Sequence, residues 1–502
     1  MKRYSIFIMV LVCAIGSAQN INDVVRYSTE NLQGTARFQG LSGAFGALGG
    51  DLSAVNINPA GAAVFNNSLF TLSGSNYNND NDATYFNTTN NTTFNSIELN
   101  QIGAVFVFKS SDDDAEWKKI TLGLNYDIVE NYDNEFFASG RSDQGIDNYF
   151  LNFAQGTPLG PLFLQDGEFI EQAYLDIGAE LGFADQQTFL GYFGGIIDPL
   201  DVTDPNNTGY VSNASYTAVN QEFLQSTSGF NSKFNLNLAS QYKDHLYIGA
   251  SLNFHTVVYD RLTRLSESGF DADSEIQFVN FDNLLHTEGN GFSFSVGAIA
   301  KLNNSVRIGG SYQSPTWYRL TDDTSQRINS DLADDDINFI DFNIVNLFDA
   351  YTIKTPGKVT GSLALIFGKQ GLLSFDYGYQ DFTQAELRPT SDPSFATVNT
   401  AISNTLGEVS TYRVGGEFKI DNVSLRGGYR FEESPYADGQ TIGDLTGYSA
   451  GIGFNFGGSR LDLTYSRSEQ DINEQLFDTG VTTPALINAI NTNVTLSYTL
   501  NL

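Results

Sequence analysis

The side chains that most often carry catalysis or hold a metal are scarce in this chain of 502 residues. It has three histidines, His245, His255 and His286, and one cysteine, Cys13, and their spacing matches no zinc site. Nothing resembles a nucleophile elbow, and the stretch GALGGD at 46–51 lacks the basic residue of a phosphate-binding loop. The sequence therefore predicts a protein that is not an enzyme and that binds neither a metal nor a cofactor.

The remaining chemistry lies in charged side chains at alternate positions of predicted strands. If the opposite faces touch lipid, these faces must point inward, because a basic residue at mid-membrane costs about 2–4 kcal/mol. The fork of an arginine matches a carboxylate, so the candidates for contacting an anionic headgroup in the lumen are Arg307, Arg413, Arg426 and Arg430. The alternative is internal pairing with acidic residues on the same faces, among them Asp127, Asp376, Glu417 and Asp462.

The first residues predict export. A short basic start, MKR, precedes an apolar run that is too short to span a bilayer, and small residues follow at the cut-site positions, so residues 1–18 form a predicted signal peptide cleaved after Ala18. A lipoprotein anchored through Cys13 is the alternative, with Val12 in a poor position before it. Without Cys13 the mature chain has no cysteine, and its stability must come from something other than disulfides.

Composition narrows the class of protein further. The chain has 26 basic and 58 acidic residues, which excludes nucleic acid as an expected partner. Aromatic residues make up 13% and glycines number 48, while no later stretch approaches the roughly 20 apolar residues of a membrane helix. An exported chain of this kind indicates a large β-structure whose solvent is lipid.

Apolar and polar residues alternate in many short runs. In HLYIGASLNF at 245–254, Leu246, Ile248 and Leu252 share one face and Tyr247 and Ser251 the other. The final run, NVTLSYTLNL at 493–502, alternates throughout. We count about 14 such runs, each typical of a strand with one apolar and one wet face.

The connections between these runs alternate between short turns and long polar stretches. This predicts an all-β fold, a transmembrane antiparallel up-and-down barrel of about 14 strands, with both chain termini on the periplasmic, short-turn side. We expect the largest connection, 133–229, to contain short helices that cap the pore. The acidic runs Asp112–Asp114 and Asp334–Asp336 are either cation sites at a lipopolysaccharide surface or solvated loops. The expected long connections lie at about 78–96, 133–229, 266–287, 322–350, 388–407 and 474–490.

Several segments, in order, resemble the FadL/TodX family of outer-membrane transporters of hydrophobic compounds, in the branch of Bacteroidetes-type bacteria. NINPAGAA at 56–63 resembles the family's Asn-Pro-Ala segment near the mature N-terminus, and VRIGGSYQSPTWYRLTD at 306–322 resembles its strand with a Ser-Pro exit. Segments 351–387 and 412–439 resemble its Thr-Pro and GxE hairpins. The chain departs from the pattern in ending at Leu502, where many such barrels end in Phe, and 133–229 has no counterpart.

The resemblance implies an N-terminal plug, or hatch, at 19–66 inside a barrel at 67–502. Asn58, Pro59, Ala60 and Gly61 are the expected hatch residues. It also implies passive uptake, gated by the hatch, of hydrophobic compounds such as long-chain fatty acids or aromatic hydrocarbons. The alternative for the glycine-rich segment at 43–63 is a flexible periplasmic leader that precedes the first strand.

The expected location is the outer membrane of a Gram-negative cell, as an integral monomer. The expected partners are the hydrophobic ligand, outer-membrane lipid and lipopolysaccharide, and the barrel-assembly machinery. Two other functions fit the same alternation: a general or structural porin-like barrel that passes polar solutes, and a surface adhesin.

Overall fold

The chain forms one closed barrel. The computed structural model describes residues 20–112 and 114–502, so the predicted signal peptide and Cys13 lie outside the described residues. Fourteen strands run antiparallel in chain order, and the last pairs with the first from Leu69↔Asn501 to Thr84↔Leu486. This confirms the predicted up-and-down barrel of about 14 strands.

Four of the strands consist of more than one segment. The bounds of the strands are β1 Leu69–Tyr85, β2 Thr88–Lys109, β3 Trp117–Asn131 and Asn134–Ser142, β4 Val219–Tyr242, β5 Leu246–Ser268, β6 Phe278–Lys301, β7 Val306–Gln313 and Trp317–Ser330, β8 Asn346–Leu347, Tyr351–Lys354 and Lys358–Phe367, β9 Gly371–Asp381 and Glu386–Arg388, β10 Glu408–Ile420, β11 Val423–Glu432, β12 Leu445–Asn455, β13 Ser459–Gln475 and β14 Pro484–Asn501.

The alternation predicted from the sequence sets which side chains face inward. In β5, Tyr247 and Ser251 are buried, whereas Ile248 and Leu252 are 39% and 43% exposed. Comparable apolar side chains are exposed on the outer face of every barrel strand. Such a belt is stable only where it meets acyl chains rather than water.

The polar stretch at 78–96, expected to be a long connection, is instead strand. It forms the distal parts of β1 and β2, joined by the two-residue turn Phe86–Asn87, in which Phe86 has a φ of 51°. The expectation was wrong because both strands continue past the apolar belt into water. Their outward positions there are polar, as at Asp80 and Asn95, so apolar alternation no longer marks a strand.

The segment from Asn20 to Asn67, which we call the plug, lies inside the barrel. It contains helices α1 (Ile21–Ser28) and α2 (Ala36–Gln39) and the 3₁₀ turns Ser53–Asn56 and Pro59–Val64. Helix α1 lies towards the long loops, whereas the rest of the plug lies towards the short turns. All seven alanines of the plug are fully buried, and so are the larger side chains of Leu41 and Phe45, because the barrel wall encloses the plug tightly.

Residues 143–218, which we call the cap, join β3 to β4 and cover the long-loop end of the barrel. The cap contains α3 (Asp147–Ala154), α4 (Ile170–Glu180) and α5 (Phe183–Phe193). Phe150 of α3 and Phe189 of α5 are fully buried against inward residues of the strands, including Phe223 and Phe281.

A sixth helix, α6 (Pro393–Thr405), lies between β9 and β10 and shares an apolar core with α1 of the plug. Within residues 20–112 and 114–502, no helix is long and apolar enough to cross a bilayer.

Candidate functional site

A cavity of about 680 Å³ lies inside the barrel beside α1, and we call it the upper cavity. Its lining combines tyrosine rings with amide, carboxylate and guanidinium groups. A bound molecule could therefore bury a ring or chain and still satisfy hydrogen bonds. The tyrosines that line it are Tyr77, Tyr132, Tyr259, Tyr436 and Tyr448, and its charged residues are Arg26, Glu130, Asp133, Arg261, Arg430, Arg467, Glu474 and Asp478.

Part of the boundary between β2 and β3 is not joined by a ladder. The pairing of β2 with β3 ends at Gln101↔Asp127, next to the break in β3 at Tyr132 and Asp133. Among the described residues, the distal part of β2 pairs with β1 alone, and the second segment of β3 pairs with β4 alone. We call this boundary between residues 88–100 and 128–142 the seam.

Side chains, not backbone bonds, close the seam. Asn90 donates to Ser139 across it at 3.0 Å. The second segment of β3 also leans inward against β1, where Asn81 donates to the carbonyl oxygen of Glu135 at 2.7 Å. Opening the seam would therefore break a few side-chain bonds and no strand pairing.

The seam connects the membrane side of the wall with the upper cavity. On the inside, Asn131, Asp133 and Asn134 line both the seam and the cavity. On the outside, Ile97 and Leu99 of β2 are 81% and 51% exposed at the edge of the apolar belt. An apolar group could thus pass from the belt to the cavity without crossing a continuous sheet.

A second cavity of about 50 Å³, the lower cavity, lies nearer the short turns. Plug residues Asn31, Leu32 and Gln33 line both cavities and form a septum between them. The septum is held on two sides: Asn31 donates through its backbone and side chain to Glu130, and the hydroxyl of Tyr77 donates to Gln33.

The predicted hatch residues lie in the lower part of the plug. Asn58 is 1% exposed and donates to the carbonyl oxygens of Gly46 at 2.7 Å and Ala298 at 3.1 Å, so it joins two parts of the plug to β6. The carbonyl oxygen of Pro59 accepts from Asn237 of β4. Ala60 is fully buried, since the plug leaves no space there.

Gly61 lies where the plug chain folds back on itself. Its carbonyl oxygen accepts from the backbone of Gly50, and a Cβ at Gly61 would come within 3.2 Å of the Gly49 Cα. A larger residue would therefore separate the two passes of the plug backbone.

The four predicted arginines occupy four different surroundings. Arg430 lines the upper cavity and lies 3.4 Å from Asn31 of the septum. Arg413 lines the lower cavity. Arg426 is paired with Glu417 at 2.7 Å, and Arg307 donates to the carbonyl oxygen of Leu48 in the plug at 3.0 Å.

Sequence reasoning singled out Asp127 of the lower cavity as an inward acidic residue, but it missed most of the other lining residues of these cavities. Tyr77 and Glu130 at the septum and Lys233 and Lys358 in the lower cavity were not singled out. Alternation indicates that such residues face inward. It does not indicate which of them lie beside the plug, because that depends on the position of the plug along the barrel axis.

The sequence and the fold are similar to those of known outer-membrane proteins. A family model described as outer membrane protein transport protein (OMPP1/FadL/TodX) matches residues 201–495. The fold is similar to the crystal structure of a Pseudomonas aeruginosa FadL homologue, at 12% identity over 94% of this chain and 99% of that chain, with a TM-score of 0.54. It is also similar to the CymD monoaromatic hydrocarbon channel, at 11% identity over 94% and 99%, with a TM-score of 0.50. No curated protein matches the sequence.

Proposed function

Because the chain belongs to the OMPP1/FadL/TodX family of outer membrane transport proteins, we propose that it is a channel for passive uptake of hydrophobic compounds such as long-chain fatty acids or aromatic hydrocarbons. The observation that carries the proposal is the position of the upper cavity. It lies between α1, the wall and the seam, while the cap packs over the neighbouring strand ends.

The seam is the proposed passage through the wall. Ile97 and Leu99 offer an apolar surface at its outer edge, and the cavity begins directly behind it. A compound dissolved in the membrane would meet Ile97 and Leu99 first and would then pass the polar side chains that close the seam, such as Asn90 and Ser139. The direction of net movement follows the concentration gradient, since nothing in this arrangement couples it to an energy source.

The lining of the upper cavity favours amphipathic members of this class. A pure hydrocarbon would bury guanidinium and carboxylate groups without partners, which costs free energy. A compound with a carboxylate head would instead bring an acceptor to Arg430, and a chain or ring would lie against Tyr77 and Tyr132.

The plug is the proposed gate. Its lower part, including Asn58 and Pro59, is bonded to β4 and β6, whereas only the three-residue septum separates the two cavities. We infer that a small movement of the septum, rather than ejection of the whole plug, connects the upper cavity to the periplasmic side.

The polar lining also supports a second candidate, a porin-like barrel for polar solutes. Carboxylate, amide and guanidinium groups around about 680 Å³ would suit a hydrated solute as well as an amphipathic one. The two candidates differ in the need for the seam, because a polar solute gains nothing from a lipid-facing passage.

A reversible cross-link across the seam tests the proposal. Asn90→Cys with Ser139→Cys places two thiols on opposite sides of the seam, at the positions where the Asn90 Nδ2 now lies 3.0 Å from the Ser139 Oγ. Cells that rely on this barrel should lose uptake of a fluorescent long-chain fatty acid when the pair is oxidised and recover it with dithiothreitol.

The matched control joins strands that are already paired. Thr71→Cys with Thr499→Cys links β1 to β14, where the two hydroxyls are 3.1 Å apart, and should leave uptake unchanged in both redox states. If the oxidised seam variant still takes up fatty acid, and the barrel conducts sugars equally well in both redox states, the porin-like function replaces the proposed one.

We further propose that the barrel works as a monomer in a Gram-negative outer membrane, with both termini in the periplasm. The polar outward positions of the distal strands, such as Asp80 and Asn95, would then lie among lipopolysaccharide headgroups. Insertion would depend on the barrel-assembly machinery.

A further inference from the structure

The lower cavity has more basic than acidic lining residues. Lys233 of β4, Lys358 of β8 and Arg413 of β10 meet two carboxylates there, Glu30 of the plug and Asp127 of β3. The chain as a whole has 26 basic and 58 acidic residues, so the excess of basic over acidic side chains in the lower cavity is opposite to the balance of the whole chain. Such a concentration of cations favours a negatively charged occupant.

Glu30 of the plug supplies part of that charge. Its carboxylate lies 3.7 Å from the Nζ of Lys233, whose side chain is 3% exposed, and 3.5 Å from the amide nitrogen of Gln313. Burial alone would raise the pKa of Glu30, but the charges of Lys233 and Lys358 outweigh it and lower the pKa to about 2. Both distances are long for charge-assisted bonds, so the carboxylate is held by charge rather than by close hydrogen bonds.

Arg413 shows that the cations are not fully satisfied by Glu30. It is 7% exposed, and among the described residues its Nε has no hydrogen-bond partner. Its ladder neighbour Asp376 accepts instead from the backbone of Phe45 and Gly46 in the plug. The Oδ1 of Asp376 has no hydrogen-bond partner among the described residues either, so this carboxylate does not satisfy the Nε of Arg413. A buried donor without a partner is costly, and Arg413 can therefore bond an acceptor that a ligand brings.

Glu30 is also the residue directly before the septum. A displacement of the Glu30 backbone would also move Asn31, which is hydrogen-bonded to Glu130 of the upper cavity. The ion pair between Glu30 and Lys233 is therefore a further attachment of the septum, in addition to the bonds of Asn31 with Glu130 and of Gln33 with Tyr77.

We propose that Lys233, Lys358 and Arg413 form an internal anion site that Glu30 occupies in place of a ligand, so that Glu30 latches the septum. A ligand with a carboxylate, sulfate or phosphate head competes with Glu30 for these cations and frees the septum. The arrival of such a ligand rests on the proposed function, but the latch is a property of the plug without any ligand.

Labelling of a single thiol tests the latch. Leu32 of the septum is 7% exposed, and the predicted mature chain has no other cysteine, so Leu32→Cys reports septum opening through its rate of reaction with a maleimide. In detergent-solubilised protein, adding Glu30→Gln should speed labelling about 5-fold or more without ligand. In the parent, which carries Leu32→Cys alone, octanoate should speed labelling. The alcohol 1-octanol, which has the same chain length without the charge, should not.

Two further variants separate the latch from a general loosening of the protein. Lys233→Gln should speed labelling and abolish the response to octanoate. Glu116→Gln removes a carboxylate that lies 3.2 Å from the Nζ of Lys243 on an exposed turn. This variant should change neither the labelling rate nor the response to octanoate. Hydrogen exchange at amides 30–34 in the protein without the added cysteine gives the same comparison if Leu32→Cys does not fold.

Equal labelling of the parent and Glu30→Gln overturns the latch, and so does equal acceleration by octanoate and 1-octanol. Either result leaves the seam cross-link experiment untouched. Loss of the proposed function would appear there instead, as fatty-acid uptake that does not depend on the seam.

Discussion

Arg37 of the plug and Glu417 of β10 form an ion pair inside the barrel, with the Arg37 Nε 3.1 Å from the Glu417 Oε2. The Glu417 side chain is 1% exposed and also pairs with Arg426 of β11 at 2.7 Å. Arg426 in turn forms an ion pair with Asp462 of β13. The charge of the plug is thus part of a buried network that spans several wall strands.

Replacing Glu417 with glutamine should loosen the plug strongly. The change leaves Arg37 and Arg426 buried with one fewer negative charge, and breaking a buried pair in this way costs about 3–5 kcal/mol. Limited proteolysis of the plug during a urea titration measures the effect. Lys243→Gln, which removes an exposed ion pair at a turn, should not shift the midpoint, and an equal shift in both variants would contradict a specific role for the network.

Asn58→Ala should weaken the attachment of the plug to β6. The variant loses the bonds to the carbonyl oxygens of Gly46 and Ala298 and the side-chain cap on the backbone of Ala60. Leaving buried carbonyls without donors costs about 1–3 kcal/mol, which hydrogen exchange of the plug amides should show as faster exchange. Asn67→Ala, at the exposed end of the plug, is the control, and unchanged exchange in Asn58→Ala would refute the role of this side chain.

Gly309→Ala should displace the plug, whereas Gly310→Ala should not. A Cβ at Gly309 would lie 2.3 Å from the carbonyl oxygen of Gly46, while a Cβ at Gly310 meets nothing within 4 Å. Overpacking of this kind costs about 1–3 kcal/mol and falls on the contact between wall and plug. Ion conductance in planar bilayers should therefore rise for the first variant only. Similar conductance for both would show that the wall tolerates the added methyl group.

Arg430→Gln should weaken binding of anionic amphiphiles to the upper cavity. Loss of a bond to a charged group costs about 1.5–3 kcal/mol, which is about a 10- to 100-fold rise in Kd. Calorimetric titration of the detergent-solubilised protein with dodecanoate measures it. Arg319→Gln, an exposed arginine of β7, should leave the Kd unchanged, and a normal Kd for Arg430→Gln would remove this residue from the site.

The barrel could be predicted from the sequence because its evidence is local. Alternation at Leu246, Ile248 and Leu252 depends only on neighbouring residues in one strand, so strand count and facing followed from it. The barrel was predicted from the alternation of short and long connections along the chain. The same reasoning failed at 78–96, where the strands leave the belt and polar residues such as Asp80 and Asn95 occupy their outward face.

The candidate site was predictable only in part. Inward arginines were recognised as a group, yet Arg430 lines the upper cavity while Arg426 is sealed in an ion-pair network. No local feature separates these two residues of the same strand, because the difference comes from which part of the plug lies in front of each.

By itself, the sequence determined the alternating strands and the inward direction of their polar faces, since alternation is a property of consecutive residues. The tertiary structure alone decided where the plug crosses the wall, where the β2–β3 pairing stops, and which cations meet Glu30. Barrel closure brings Glu30, Lys233 and Arg413 together from distant parts of the chain. Their encounter depends on strand register and plug path, which no short stretch of sequence specifies.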